Sequence, residues 1–224
     1  MHIYLCTLTF QENLFYATRE VGRLYETGRY LHNYALTYAL ELAVSPYFNS
    51  LQSPCYAQDL RPLNDRGIYV TPARGVQIAF ALNTFKYASN QYHVEMKPGR
   101  TNTPTFGRAK EIAAESVFQF AILSAKEALA LPRWLRMGLW RSKAELQYEL
   151  IEATKTDTSL NQATLPLNPL DLDKRLATFD LISMPPSSLV DNVLLESEWW
   201  TAVTSQGEIR LPFSLNYRFP EGTS

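Results

Sequence analysis

The first ten residues, MHIYLCTLTF, place Ile3, Leu5 and Thr7 on one side of an extended chain and Tyr4, Cys6 and Leu8 on the other. Both sides are mostly apolar, and the stretch is rich in β-branched and aromatic residues. Such a strand belongs in the middle of a sheet, because at an edge or on a wet face half of its side chains would meet water. At 224 residues the chain is large for one core and small for two, the size of a single domain, here spanning 1–224, that carries an insertion. With 46% apolar and 19% charged residues it has an interior to build and is not a disordered tail.

Further along, LHNYALTYALELA carries Leu31, Ala35, Tyr38, Ala39 and Leu42 at helical spacing, with Pro46 as the stop and Asn33 as a candidate cap. The proline-rich run from Ser45 to Gly67 reads as a long connection. IYVTPARGVQIAFALNTFKY returns to strand, and residues 86–110, with Pro98, Gly99, Pro104 and Gly107, read as an arm or hairpin standing off the core. SVFQFAIL is a buried strand. LPRWLRM opens a short helix with Pro132 in its first turn, which Gly138 ends. Residues 154–173 read as a loop-like connection. ATFDLISM, SEWWTAV and EIRLPFSL then follow as strands, the last two as a hairpin whose Pro212 marks an edge. The order gives an α+β fold, compatible with a ferredoxin-like antiparallel sheet with an inserted arm and a β-rich C-terminal part.

Charge is divided unevenly. Residues 1–151 carry 16 Lys and Arg against 12 Asp and Glu, whereas residues 152–224 carry 5 against 10. The excess of cations centres on residues 97–143 and reaches its density in LPRWLRMGLWRSKAEL, where Arg133, Arg136, Arg141 and Lys143 stand among Trp134, Leu135 and Trp140. A polyanion on the basic side and a protein neighbour on the acidic, Trp-bearing side would suit this asymmetry; so would a solvated face packed on Trp134.

Motif chemistry is sparse. There is no glycine-rich phosphate loop, nucleophile elbow, paired-cysteine zinc site or His-Glu zinc helix. Cys6 suits a core and, with Cys55, a reducing cytoplasm; no secretory leader or membrane-spanning run is expected. Asp171 and Asp173, two apart in a loop, read as solvated charge or as a weak metal signal, and no metal or cofactor is expected. His2, His32 and His93 are scattered; His32 or His93 could act as a general base on a ribose hydroxyl, or be plain polar surface.

Four ordered blocks carry a family resemblance: IYLCTLTFQENLFYATREVGRLYETGRYLHNYALTYAL, YVTPA, TNTPTFGRAKEIAAESVFQFAIL and LPRWLRMGLWRSKAE. Together they resemble the Cas-five-type subunit, or Csc-one, of type I-D CRISPR effector complexes. The resemblance is strongest over residues 2–150. It implies an RRM-like (repeat-associated, RAMP-type) core with an extended thumb and a role without catalysis in Cascade. There the subunit caps the five-prime handle of the CRISPR RNA and joins the Cas-seven-type backbone subunit to the Cas-ten-type large subunit; target DNA beside the flanking motif is a further candidate partner. The rival from the same resemblance is an endoribonuclease that processes repeat RNA.

In that light the candidate RNA-binding residues are Arg133, Arg136, Arg141 and Lys143; Lys86, Arg100, Asn102, Arg108 and Lys110 in the arm; Arg19, Arg23 and Tyr25 before the helix; and Asn33 and Arg74. Arginine forks grip phosphates two oxygens at a time, and aromatic faces hold unstacked bases.

Overall fold

The computed structural model describes residues 1–43, 45, 54–86, 106–126, 128–204 and 207–219. In chain order the strands are β1 (His2–Phe10), β2 (Arg19–Val21), β3 (Leu24–Glu26) and β4 (Tyr30–Leu31), followed by helices α1 (Asn33–Ala39) and α2 (Tyr56–Arg66). Next come β5 (Ile68–Val70), β6 (Ala73–Gln77), β7 (Phe80–Lys86), β8 (Phe106–Ile112), β9 (Val117–Ser124), β10 (Trp134–Met137) and β11 (Ser142–Ile151). The C-terminal part adds β12 (Thr154–Gln162), β13 (Leu176–Ile182), β14 (Leu189–Thr204) and β15 (Gly207–Pro212). Strand residues make up 53% of the described residues and helix 11%, so this part of the molecule is mainly β, built on a curled antiparallel sheet, with less helix than the expected α+β balance.

The central sheet runs β10-β11-β1-β9-β6-β4, with β5 also on β9. β1 is indeed flanked on both sides, by β9 and β11, antiparallel to each. Its two faces enter two different cores. Ile3 and Leu5 pack with Leu60 and Leu63 of α2 and with Val190, Leu195 and Trp199 from the C-terminal sheet. Tyr4, Cys6, Leu8 and Phe10 pack with Leu36 of α1, with Leu40 just after it, and with Phe118, Phe120 and Ile122. Phe10 and Phe118 meet edge to face at 5.7 Å, the arrangement ring quadrupoles favour. The C-terminal sheet is organised on the long β14, with β12 on one edge and β13 and β15 end to end along the other. A third sheet, β2-β3-β8-β7, projects beside the central one.

Several expectations are corrected. LPRWLRM is strand β10, not a helix: Trp134 and Arg136 face out while Leu135 and Met137 are buried, a period of two that the proline masked. Residues 154–162 are not a loop but strand β12, polar on both faces because it is an exposed edge. The connection before Gly67 contains α2, whose buried Ala57, Leu60 and Leu63 recur every three residues around Pro62. Gly67 ends that helix at φ +68, and a Cβ there would lie 2.7 Å from that of Ala125.

α1 is shorter than expected. Its cap is His32, whose Nδ1 accepts from Tyr34 N at 3.2 Å, and not Asn33. It stops well before Pro46, in a Schellman turn where Glu41 N donates to Tyr38 O and Leu42 N to Thr37 O. Of the expected arm, residues 106–110 belong to β8, the antiparallel partner of β7; residues 87–105 lie outside the described residues.

Candidate nucleic-acid interface

The β10–β11 hairpin positions the densest cationic stretch. Arg136 lies opposite Lys143 and Trp134 opposite Glu145, so these four side chains share the outward face. Arg133 is neutralised: its Nε and Nη2 donate to Glu145 Oε1 at 3.1 and 2.9 Å. Lys143 Nζ sits 4.0 Å above the Trp134 ring, a cation–π contact. Arg136 Nη1 donates to the Arg141 carbonyl at 2.9 Å. Among the described residues no ion pair holds Arg136, Arg141 or Lys143.

The turn of this hairpin depends on Gly138. Its φ is +76, and a Cβ would come within 2.6 Å of Leu14 Cδ1 and 2.7 Å of Phe15 O. Leu139 N donates to that same Phe15 carbonyl at 2.8 Å. This close approach lets Trp140 stack on Phe15 at 4.8 Å and 29°, leaving Trp140 48% exposed and Leu139 72% exposed. The sequence singled out Trp140 but not Phe15, whose role depends on the approach of two segments far apart in the chain.

Residues Gln11–Leu14 stitch this hairpin to the third sheet. Gln11 N donates to Lys143 O and Lys143 N to Glu12 Oε2, both at 2.9 Å. On the other side, Leu14 N donates to Ile112 O at 2.8 Å and Asn13 Nδ2 to the buried Glu111 at 3.1 Å. The third sheet carries the second group of expected contacts. Arg19 Nε donates to Glu26 Oε2 at 2.8 Å, and Lys110 lies 3.7 Å from Glu26 and 4.3 Å over the Phe80 ring. The Arg19 guanidinium, with Lys110 behind it, holds the Glu26 carboxyl below the usual carboxylate range. Arg108 is exposed, and its N–H donates to the carbonyl of Arg23 in the β2–β3 turn; Tyr25 lies on β3. Phe80 and Leu82, whose alternation marks this strand in the sequence, are exposed on β7.

The fold thus sets two cationic groups, Arg136, Arg141 and Lys143 in one and Arg19, Arg108 and Lys110 in the other, on either side of one short segment. It does not bring Asn33 and Arg74 to them. Asn33 is fully buried and donates to Asp171 Oδ2 at 2.8 Å, so it has no face to offer RNA. Arg74 donates to Asp191 Oδ1 at 3.2 Å and to Thr164 O at 3.0 Å, joining the central sheet to the C-terminal part. Lys86 ends β7, while Arg100 and Asn102 lie outside the described residues.

Asp171 is not solvated charge. It is buried and accepts from Asn33, Tyr69 OH at 2.9 Å and Arg218 N at 3.1 Å. Burial outweighs these donors and pushes its carboxyl up to about 7. His32 is also buried: its Nε2 lies 2.9 Å from Ser187 Oγ, and burial lowers its pKa to about 4. His93 lies outside the described residues. Among those described, no group of three or more His, Cys, Asp or Glu could hold a metal ion, and no helix is long and apolar enough to cross a membrane.

No curated protein matches this chain. A family match, in contrast, runs over residues 1–220 and so takes in the acidic C-terminal third as well as the blocks that carry the resemblance. The chain belongs to the family of type I-D CRISPR-associated Cas5/Csc1 proteins.

Proposed function

We propose that this chain is a non-catalytic RNA-binding subunit of a cytoplasmic type I-D Cascade complex. It holds the five-prime handle of the CRISPR RNA and bridges the backbone and large subunits. The observation that carries this reading is the outward face of the β10–β11 hairpin and its turn. There Arg136, Arg141 and Lys143, without a carboxylate partner among the described ion pairs, stand beside the exposed rings of Trp134 and Trp140. Phosphate contacts need such unneutralised cations, and unstacked bases need such aromatic faces. The acidic C-terminal sheet is the surface assigned to protein neighbours.

Purification of the tagged protein from cells carrying the complex tests this. Small RNAs sharing a common five-prime end should accompany it, and should be depleted when Arg136 and Lys143 are both replaced by Ala. Absence of RNA, or retention of the same RNA by the double variant, would overturn the reading. The nuclease alternative is tested by incubating the protein with repeat RNA in chelator, where a discrete cut would replace the non-catalytic role.

A further inference from the structure

α1 ends in an unusual way. A Schellman turn needs its C′ residue in the left-handed region, and glycine is the residue that adopts this without steric cost. Here the position is Glu41, at φ +59. Glu41 lines a groove of about 540 Å³ whose other walls include Tyr38 of α1 and Trp134, Arg136 and Lys143 of the β10–β11 face. That volume falls within the roughly 300–1,000 Å³ typical of small-ligand sites. Although Glu41, Arg136 and Lys143 line the same groove, no ion pair between them is present among the described residues.

A groove that keeps an acid and two bases apart suits a ligand with an anionic end and a donor end. A nucleotide is such a ligand, and the carboxylate narrows which one. Carboxylates only accept hydrogen bonds. Guanine alone among the four bases presents two adjacent donors, N1–H and the 2-amino group, on its Watson–Crick edge. Adenine and cytosine each set an acceptor beside their amino group, which would face the second carboxylate oxygen.

We infer that this groove binds a guanosine of single-stranded RNA: base edge on Glu41, base plane on Trp134, and phosphate between Arg136 and Lys143. The base takes the place over Trp134 that Lys143 Nζ now occupies, releasing the ammonium to the phosphate. This rests on the RNA-binding role proposed above and adds base identity to it. It also accounts for the choice of Glu at a position where Gly would terminate the helix with less strain.

The test measures binding of the full chain to five-nucleotide RNAs that differ only at the central base, by fluorescence anisotropy. Guanosine should bind about tenfold more tightly than adenosine, as a bidentate contact gives, with inosine between them. Glu41→Gln and Glu41→Gly should both bring guanosine to within about twofold of adenosine. Glu41→Gly should in addition raise the melting temperature, which separates loss of reading from loss of folding. Equal binding of guanosine and adenosine by the wild type would overturn the inference and leave the RNA-binding role standing. Failure to bind any of the RNAs would overturn both. Free GMP binding as tightly as the oligonucleotide would overturn the assignment to RNA in favour of a mononucleotide.

Discussion

Arg74 and Asp191 lie 117 positions apart in the chain, and their side chains meet at 3.2 Å where the central sheet faces the C-terminal one. Asp191 is almost wholly buried and also accepts from Tyr30 OH at 2.9 Å. The pair pins together two layers whose apolar surfaces form a shared core.

Replacing Arg74 by Ala should therefore destabilise the fold by about 2 kcal/mol or more, because a buried carboxylate loses its countercharge. Arg74→Ala with Asp191→Asn should recover part of that loss. Urea denaturation of the two variants checks this; equal stability of Arg74→Ala and wild type would show that the pin is dispensable.

The cations of the hairpin should not be equivalent. Arg136→Ala and Lys143→Ala are each expected to reduce the slope of log affinity for RNA against log salt by about one. Arg133→Ala should change it less, since Glu145 already neutralises that guanidinium. Binding titrations at several salt concentrations decide the order, and an Arg133 effect as large as that of Arg136 would contradict it.

Gly138→Ala should be costly in two ways. A Cβ at φ +76 would strain the turn and would press on Leu14 and the Phe15 carbonyl, for a loss of about 1–3 kcal/mol. It should also disturb the Trp140–Phe15 stack, visible as a shift in tryptophan emission. An unchanged spectrum and melting temperature would mean that the turn relaxes freely.

Two buried groups give opposing pH dependences. The folded-state pKa of Asp171 is raised to about 7 from 3.8, so the folded form binds the extra proton, and stability falls as pH rises across that window. That of His32 is lowered to about 4 from 6.5, so the unfolded form binds the extra proton, and stability rises with pH between those values. Between about pH 4 and 6.5 the two offset each other. Asp171→Asn should leave a net rise in stability with pH there, and His32→Asn, which preserves a capping side chain, a net fall. Denaturant midpoints measured from pH 4 to 8 provide the check; parallel profiles for both variants would refute the assignment.

Much of the fold was legible where hydrophobic alternation is strong. The two-faced β1, the buried β9 and the β14–β15 hairpin follow from local pattern because each side chain's face is set by the strand period. β12 was not legible: its pairing with β14 comes from backbone hydrogen bonds, which polar side chains do not announce. β10 was misread because Pro132 and the spacing of its arginines outweighed a four-residue alternation.

By itself the sequence determined which segments are apolar on one face or two, where cations concentrate, and the family to which the chain belongs. Only the tertiary structure decided which of those cations remain available. Arg133 is neutralised by a carboxylate 12 positions away and Arg74 by one 117 positions away, whereas Arg136 and Lys143 have no such neighbour among the described pairs. Ion pairing falls off with distance in space, and separation along the chain does not reveal it until the sheets have closed.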